Sequence, residues 1–117
     1  MKILITDDSA FMRQIVKKAL EPLGAEVYEA ENGDVAVELY GQVRPDIVFL
    51  DIIMPVKNGV MALEEIKQID PNAKVVIVSS VGQDEMIDKA RQLGATEFVT
   101  KPFQADQLLQ VAQKLTS

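Results

Sequence analysis

The chain has 117 residues, 48% of them hydrophobic and 26% charged, which sets the expectation of one domain, residues 1–117, around one core. It contains no Cys and no His, so disulfides, thiolate or imidazole metal sites and a Ser–His–Asp triad are excluded; acid–base or metal chemistry must come from Asp, Glu, Lys and hydroxyl groups. A formal net charge of −6 argues against a nucleic-acid surface and suits a protein partner or a bound cation, and with no signal-like start and no membrane-length apolar run a soluble, cytoplasmic protein is expected.

In chain order, KILIT (2–6) reads as a first strand. A helical stripe follows, Phe11, Met12, Ile15, Val16, Ala19 and Leu20, with Gly24 as its stop signal. EVYEA (26–30) is a second strand, and Val35, Ala36, Leu39, Tyr40 and Val43 mark a second helix that ends before Pro45. DIVFL (46–50) is a third strand, apolar up to the carboxylate of Asp51. Val60, Leu63, Ile66 and Ile69 repeat at helical spacing until Pro71, with "NG" at 58–59 as a turn and Asn58 as the cap. KVVIV (74–78) is a fourth strand, and Met86, Ile87, Ala90 and Leu93 a fourth helix stopped by Gly94. EFVT (97–100) is a fifth strand, and Leu108, Val111, Ala112 and Leu115 a fifth helix.

Strict alternation of strand and helix argues for an α/β fold, a parallel sheet with helices on both faces. Continuous rather than alternating apolar strands agree with burial on both sides. The alternation leaves the strand order open.

In open parallel sheets, ligands bind beyond the carboxyl ends of the strands. Those ends carry Asp7 and Asp8, then Asp51, then Ser79 and Ser80, then Lys101 before Pro102. The second strand ends in Glu29, Ala30 and Glu31 and fits this set less well. Two like unit charges about 4 Å apart cost roughly 4 kcal/mol at an effective dielectric near 20. Three carboxylates and one ammonium leave −2, which a divalent cation cancels. Mg²⁺ takes hard oxygen ligands and works with carboxylates and phosphate oxygens, and a carboxylate beside a cation, a Lys and a hydroxyl suits phosphoryl transfer. There is no Gly-rich phosphate loop of the G-x-x-x-x-G-K type, so the phosphoryl group needs a donor other than a cradled nucleotide.

The segments ITDDS, FLDIIMPVKNG, VIVSS and FVTKPF, in this order and with these separations, resemble the signature segments of response-regulator receiver domains over essentially the whole chain. SAFMR and KPFQAD are most similar to single-domain chemotaxis members of that family. The resemblance implies a flavodoxin-like, doubly wound (βα)5 sheet of strand order 2-1-3-4-5. It implies Asp51 as phosphoacceptor for a phosphohistidine on a sensor histidine kinase, with direct Mg²⁺ ligands Asp8 and Asp51, Asp7 through water, and the Ile53 carbonyl. Lys101 is then the phosphoryl-oxygen contact, Ser79 the switch hydroxyl, Phe98 the aromatic switch residue, and the Lys101–Pro102 bond is cis. A target such as the flagellar motor switch, a phosphatase and a monomeric state belong to the same implication, as does a phosphoacceptor that assists its own phosphorylation and dephosphorylation rather than an enzyme.

Taken singly, most of these residues have plainer readings. Asp8 or Ser9 can cap the first helix, Asp51 can be a turn residue, Ser80 can serve the backbone locally, and Phe98 can be a half-buried strand residue. Met12, Met54, Met61 and Met86 read as core filler. Thr6 stands at a strand-end position that is usually apolar in the family and is expected to find a hydrogen-bond partner if buried. Ile53 and Val81 flank the site where some receivers carry polar side chains, so slow hydrolysis of an aspartyl phosphate is expected. The element expected to respond is Ser79, the loop 80–84 and Phe98, with Gln83, Ile87, Gln104 and Leu108 on the changed face. The other functions weighed are a phosphorelay intermediate or the receiver of a larger regulator, a flavodoxin-like cofactor binder, and a Mg²⁺-dependent phosphohydrolase with an Asp nucleophile. The cofactor binder would need Ser, Thr or Gly after strand 1, where this chain has two Asp.

Overall fold

The computed structural model describes residues 1–80 and 82–116; Val81 and Ser117 lie outside the described residues. Strand and helix alternate throughout: β1 Lys2–Thr6, α1 Ala10–Ala19, a 3-10 turn Glu21–Leu23, β2 Glu26–Ala30, α2 Gly33–Val43, β3 Ile47–Asp51, α3 Gly59–Ile69, β4 Val75–Ser79, α4 Asp84–Gln92, β5 Glu97–Thr100 and α5 Ala105–Thr116. The strands form one parallel sheet in the order β2-β1-β3-β4-β5, the order implied by the resemblance. Among the described residues no helix is long and apolar enough to cross a membrane.

The two-residue period of a strand divides the core into two layers. Leu4, Val48, Leu50, Val75 and Ile77 face α2, α3 and α4, packing on Ala36, Tyr40, Leu63, Ile66 and Ala90. Ile3, Ile5, Phe49, Val76 and Val78 face α1 and α5, packing on Val16, Ala19, Leu108 and Ala112. Every residue of β3 and β4 is buried, which is why these strands are apolar without alternation. Caps set the helix starts. Ser9, Asn32 and Asn58 each accept the N–H three residues on, from Met12, Val35 and Met61. The buried Tyr40 hydroxyl donates to Asp70 at 2.8 Å and fastens α2 to the end of α3; burial first, then this hydrogen bond, raises its pKa.

Several expectations are corrected. The third and fourth strands begin and end one residue later than read, because the parallel ladder pairs Asp51 with Val78 and Ser79 with Thr100 whatever their side chains. The α1 stripe is narrower: Phe11 is 72% exposed and Ile15 lies at the surface, since the helix sets out from the strand ends and its later turns are the ones that reach the sheet. Gly24 closes the 3-10 turn at φ +62 rather than α1 itself. Met61 is exposed on α3, unlike the buried Met54. Leu108 is fully buried, in keeping with its place on the apolar stripe of α5.

Thr6 departs most clearly from expectation. It is buried, paired along the ladder with Ala30 and Leu50, and its hydroxyl has no hydrogen-bond partner among the described residues. An unpaired buried hydroxyl destabilises, whereas an apolar group of the same shape is neutral or better. Thr6→Val is therefore expected to raise the free energy of unfolding by about 1 kcal/mol, read from urea denaturation. A loss of stability would show that the hydroxyl has a partner after all.

Candidate functional site

The strand order brings the carboxyl ends of β1, β3, β4 and the β5–α5 connection to one edge. Asp51 is the last residue of β3 and is 7% exposed; Asp7, directly after β1, is equally buried. Asp8 is exposed beside them, and one oxygen from each of Asp7, Asp8 and Asp51 lies within 4.8 Å of the others. Lys101 enters from beyond β5, with its Nζ 3.2 Å from Asp7 Oδ2 and 3.3 Å from Asp51 Oδ2. Its backbone N–H donates to the Ser79 carbonyl at 2.6 Å, and its bond to Pro102 is cis.

Electrostatics follow from burial. Asp51 is held above the ordinary carboxylate pKa, chiefly by desolvation; Lys101 opposes this, and Asp7 and Asp8 add to it. For Lys101, burial pushes the ammonium pKa down, but Asp51 and Asp7 outweigh it and the net shift is upward. The donor set is all oxygen, converges from two strands and exceeds its one ammonium by two negative charges, so it fits a hard divalent cation.

The other residues singled out by sequence are distributed around this cluster. Ser79 ends β4 fully buried, and its hydroxyl has no partner among the described residues. Ser80 is exposed, and its backbone N–H donates to the Gln83 side chain at 2.8 Å. Ile53 is 52% exposed, two residues beyond Asp51. Phe98 lies half-buried on β5 with the Arg91 guanidinium 4.9 Å over its ring. Ile87 is partly buried against the α2–α4 core layer.

Two contributors escape sequence reasoning. Arg13 donates to the Asp7 carbonyl at 2.6 Å and pairs with Glu29 at 3.0 Å, tying the acidic turn to β2. Gly59 sits against β3, where an added Cβ would lie 2.2 Å from the Asp51 carbonyl oxygen. The "NG" pair signals a turn, and nothing in its spelling tells of that close approach. Asp7 is also oriented locally, its Oδ1 accepting the Ser9 N–H at 2.9 Å.

A raised carboxylate pKa means that the fold favours the protonated form. The contribution to stability is full below the ordinary value of 3.8 and is lost as pH rises through the higher folded value. Metal-free Asp51→Asn is therefore expected to be more stable than the parent at pH 7, by about 1–3 kcal/mol for one charge removed a few ångströms from its neighbours. The gap should close near about pH 3, where Asp51 is neutral in both states. Denaturant titrations at the two pH values check this, and equal stabilities at pH 7 would contradict it.

Comparison with known proteins agrees with this architecture. The model of the family described as response regulator receiver domain matches residues 3–113. The chain is 50% identical over 114 residues to the chemotaxis protein CheY of Bacillus subtilis, covering 97% of this chain and 95% of that one. The crystal structure of the NtrX receiver domain from Brucella abortus superposes with a TM-score of 0.90 at 36% identity, over 98% of this chain and 99% of that one. A CheX–CheY–BeF3–Mg²⁺ complex from Borrelia burgdorferi superposes with a TM-score of 0.91 at 30% identity, over 100% of this chain and 90% of that one. The acidic strand-end cluster, the strand order and these matches agree: the chain belongs to the response-regulator receiver-domain family, the signalling domains of two-component systems.

Proposed function

We propose that this chain is a phosphorylation-dependent signalling switch in which Asp51 accepts a phosphoryl group from a phosphohistidine of a sensor kinase. The observation that carries the reading is the buried Asp51 carboxylate at a rigid strand end, with two further carboxylates within 4.8 Å and the Lys101 ammonium at 3.3 Å. In the step, an Asp51 oxygen forms a bond to phosphorus while the phosphorus–nitrogen bond breaks, and the imidazole leaves with the electron pair and takes a proton from solvent. Asp7, Asp8, Asp51 and the Ile53 carbonyl would hold Mg²⁺. When bound, that ion neutralises charge on the acidic cluster and on the transferring group. Lys101 binds a phosphoryl oxygen, and its contact with Asp51 keeps the acceptor oriented before transfer.

Phosphorylation turns one negative charge into two and adds acceptor oxygens. The Ser79 hydroxyl, buried with no hydrogen-bond partner among the described residues, can bond them. Drawing Ser79 toward the phosphoryl group gives Phe98 room to turn inward, away from Arg91, and remodels the face formed by Gln83, Ile87 and Gln104. A shift from mostly inactive to mostly active takes several kcal/mol of differential binding, which a target can share. The similarity to chemotaxis proteins favours a chemotaxis regulator, which we take to act as a cytoplasmic monomer on a target such as the flagellar motor switch. The relative in complex with CheX favours a phosphatase or a similar partner as well.

Intact-mass spectrometry after incubation with acetyl phosphate tests the chemistry. One phosphoryl adduct is expected, requiring Mg²⁺ and absent from Asp51→Asn. An adduct that survives the substitution, or none on the parent, overturns the assignment. The half-exposed, apolar Ile53 offers nothing to orient a hydrolytic water, so Ile53→Asn is expected to shorten the phosphoryl lifetime several-fold, about 10-fold if it supplies one good hydrogen bond to that water in the transition state. Decay of the adduct mass over time reads this directly.

A further inference from the structure

The connection between Asp51 and α3 is held by a residue that the acidic site itself does not explain. Val56 has φ +67, a left-handed conformation that β-branched residues rarely adopt. Over it the Lys57 N–H donates to the Pro55 carbonyl at 2.7 Å, closing a three-residue turn of the strained, positive-φ kind. Such a turn persists only where its surroundings over-determine it.

Lys57 supplies those surroundings. Its side chain is 17% exposed and its ammonium lies between two helices, 3.0 Å from Asp34 of α2 and hydrogen-bonded to Glu65 of α3. The pair holds its pKa above the ordinary value, Glu65 contributing most. Its carbonyl accepts the Gly33 N–H at 3.2 Å, so backbone as well as side chain is seated on the start of α2. The seat is tight: a Cβ on Gly33 would come 2.4 Å from the Lys57 carbonyl oxygen and 2.8 Å from its Cβ. The segment is also tied at its far end, where the Gly59 N–H donates to the Ile52 carbonyl at 2.7 Å. Residues 53–57 are thus a short strained loop with one lateral anchor. An exposed surface ion pair would do little here; Asp34 and Glu65 are 56% and 39% exposed, but the Lys57 side chain that they share is largely covered, and its carbonyl holds the start of α2 as well.

We propose that Lys57 is a positioning residue for the acidic site, clamping residues 53–57 between α2 and α3 so that the Ile53 carbonyl and the end of β3 keep the geometry a divalent cation requires. This rests on the reading above, in which that carbonyl is a ligand. The clamp acts on cation affinity, and its loss removes neither a carboxylate nor Lys101 from the site.

The test is a calorimetric titration of Mg²⁺ into the parent, Lys57→Met, Glu65→Gln and Gly33→Ala. Lys57→Met keeps the aliphatic stem and removes the charge. Gly33→Ala keeps every charge and displaces Lys57 from the other side, although Ala favours the helix. Each variant is expected to bind Mg²⁺ about tenfold more weakly, the low end of the effect of losing an outer-shell partner. Phosphorylation by acetyl phosphate should recover to the parent rate at saturating Mg²⁺. Parent-like affinity in Lys57→Met and Gly33→Ala overturns the proposal, including when thermal stability falls, since that outcome makes the clamp a matter of stability alone. A parent that binds no Mg²⁺ overturns the functional reading and this inference with it, and is told apart by the parent titration itself.

Discussion

The ammonium of Lys101 between the carboxylates of Asp7 and Asp51 is the contact on which the functional edge depends. It joins three strand ends that the chain visits at widely separated points. Because β4 lies between β3 and β5, Lys101 must reach across the end of β4, and that strand ends in the small residue Ser79. Without this cation the two buried carboxylates and exposed Asp8 would repel one another with no ion pair among the described residues to offset them. With it the cluster remains two charges in excess, and Asp51 stays above its ordinary pKa through burial. The edge is stable enough to persist and unsatisfied enough to bind.

The same economy governs the neutral groups. Two buried hydroxyls have no partner among the described residues, Thr6 and Ser79, at the ends of β1 and β4. Elsewhere the backbone is closely served: Ser9, Asn32 and Asn58 cap helices, and Gln83 meets the Ser80 N–H. Orphaned groups therefore concentrate at the strand ends that face the acidic edge, where a bound anion can supply acceptors. Ser79 fits this account directly. For Thr6, whose ladder neighbours are apolar, the described residues offer no compensating contact.

Much of this was legible in the residues because the signals were local and repeated. Strand and helix types, Asn58 as a cap, the strand-end carboxylates and Lys101 before a proline all follow from pattern and from the rule that ligands sit at carboxyl ends of strands. The misreadings share a cause. The exposure of Phe11 and Met61 and the isolation of Thr6 depend on what lies opposite each side chain, and periodicity cannot report that. Arg13 and Lys57 were missed for a related reason. Each works through partners far along the chain, Glu29 for one and Asp34 for the other, and an isolated basic residue has no sequence mark that separates an anchor from a solvated charge.

The sequence by itself determined the alternation, and with it the parallel sheet, because apolar runs of strand length and stripes of helical period leave a chain few other ways to bury both. It also determined which chemistry was available, by omitting Cys and His and placing carboxylates after β1 and β3. Tertiary structure alone decided which of those groups meet. The 4.8 Å convergence of Asp7, Asp8 and Asp51, the reach of Lys101 over β4, the approach of Gly59 to Asp51 and the clamping of Lys57 all arise from strand order and helix packing. Such distances are set by the summed packing of both core layers, so no single segment encodes them.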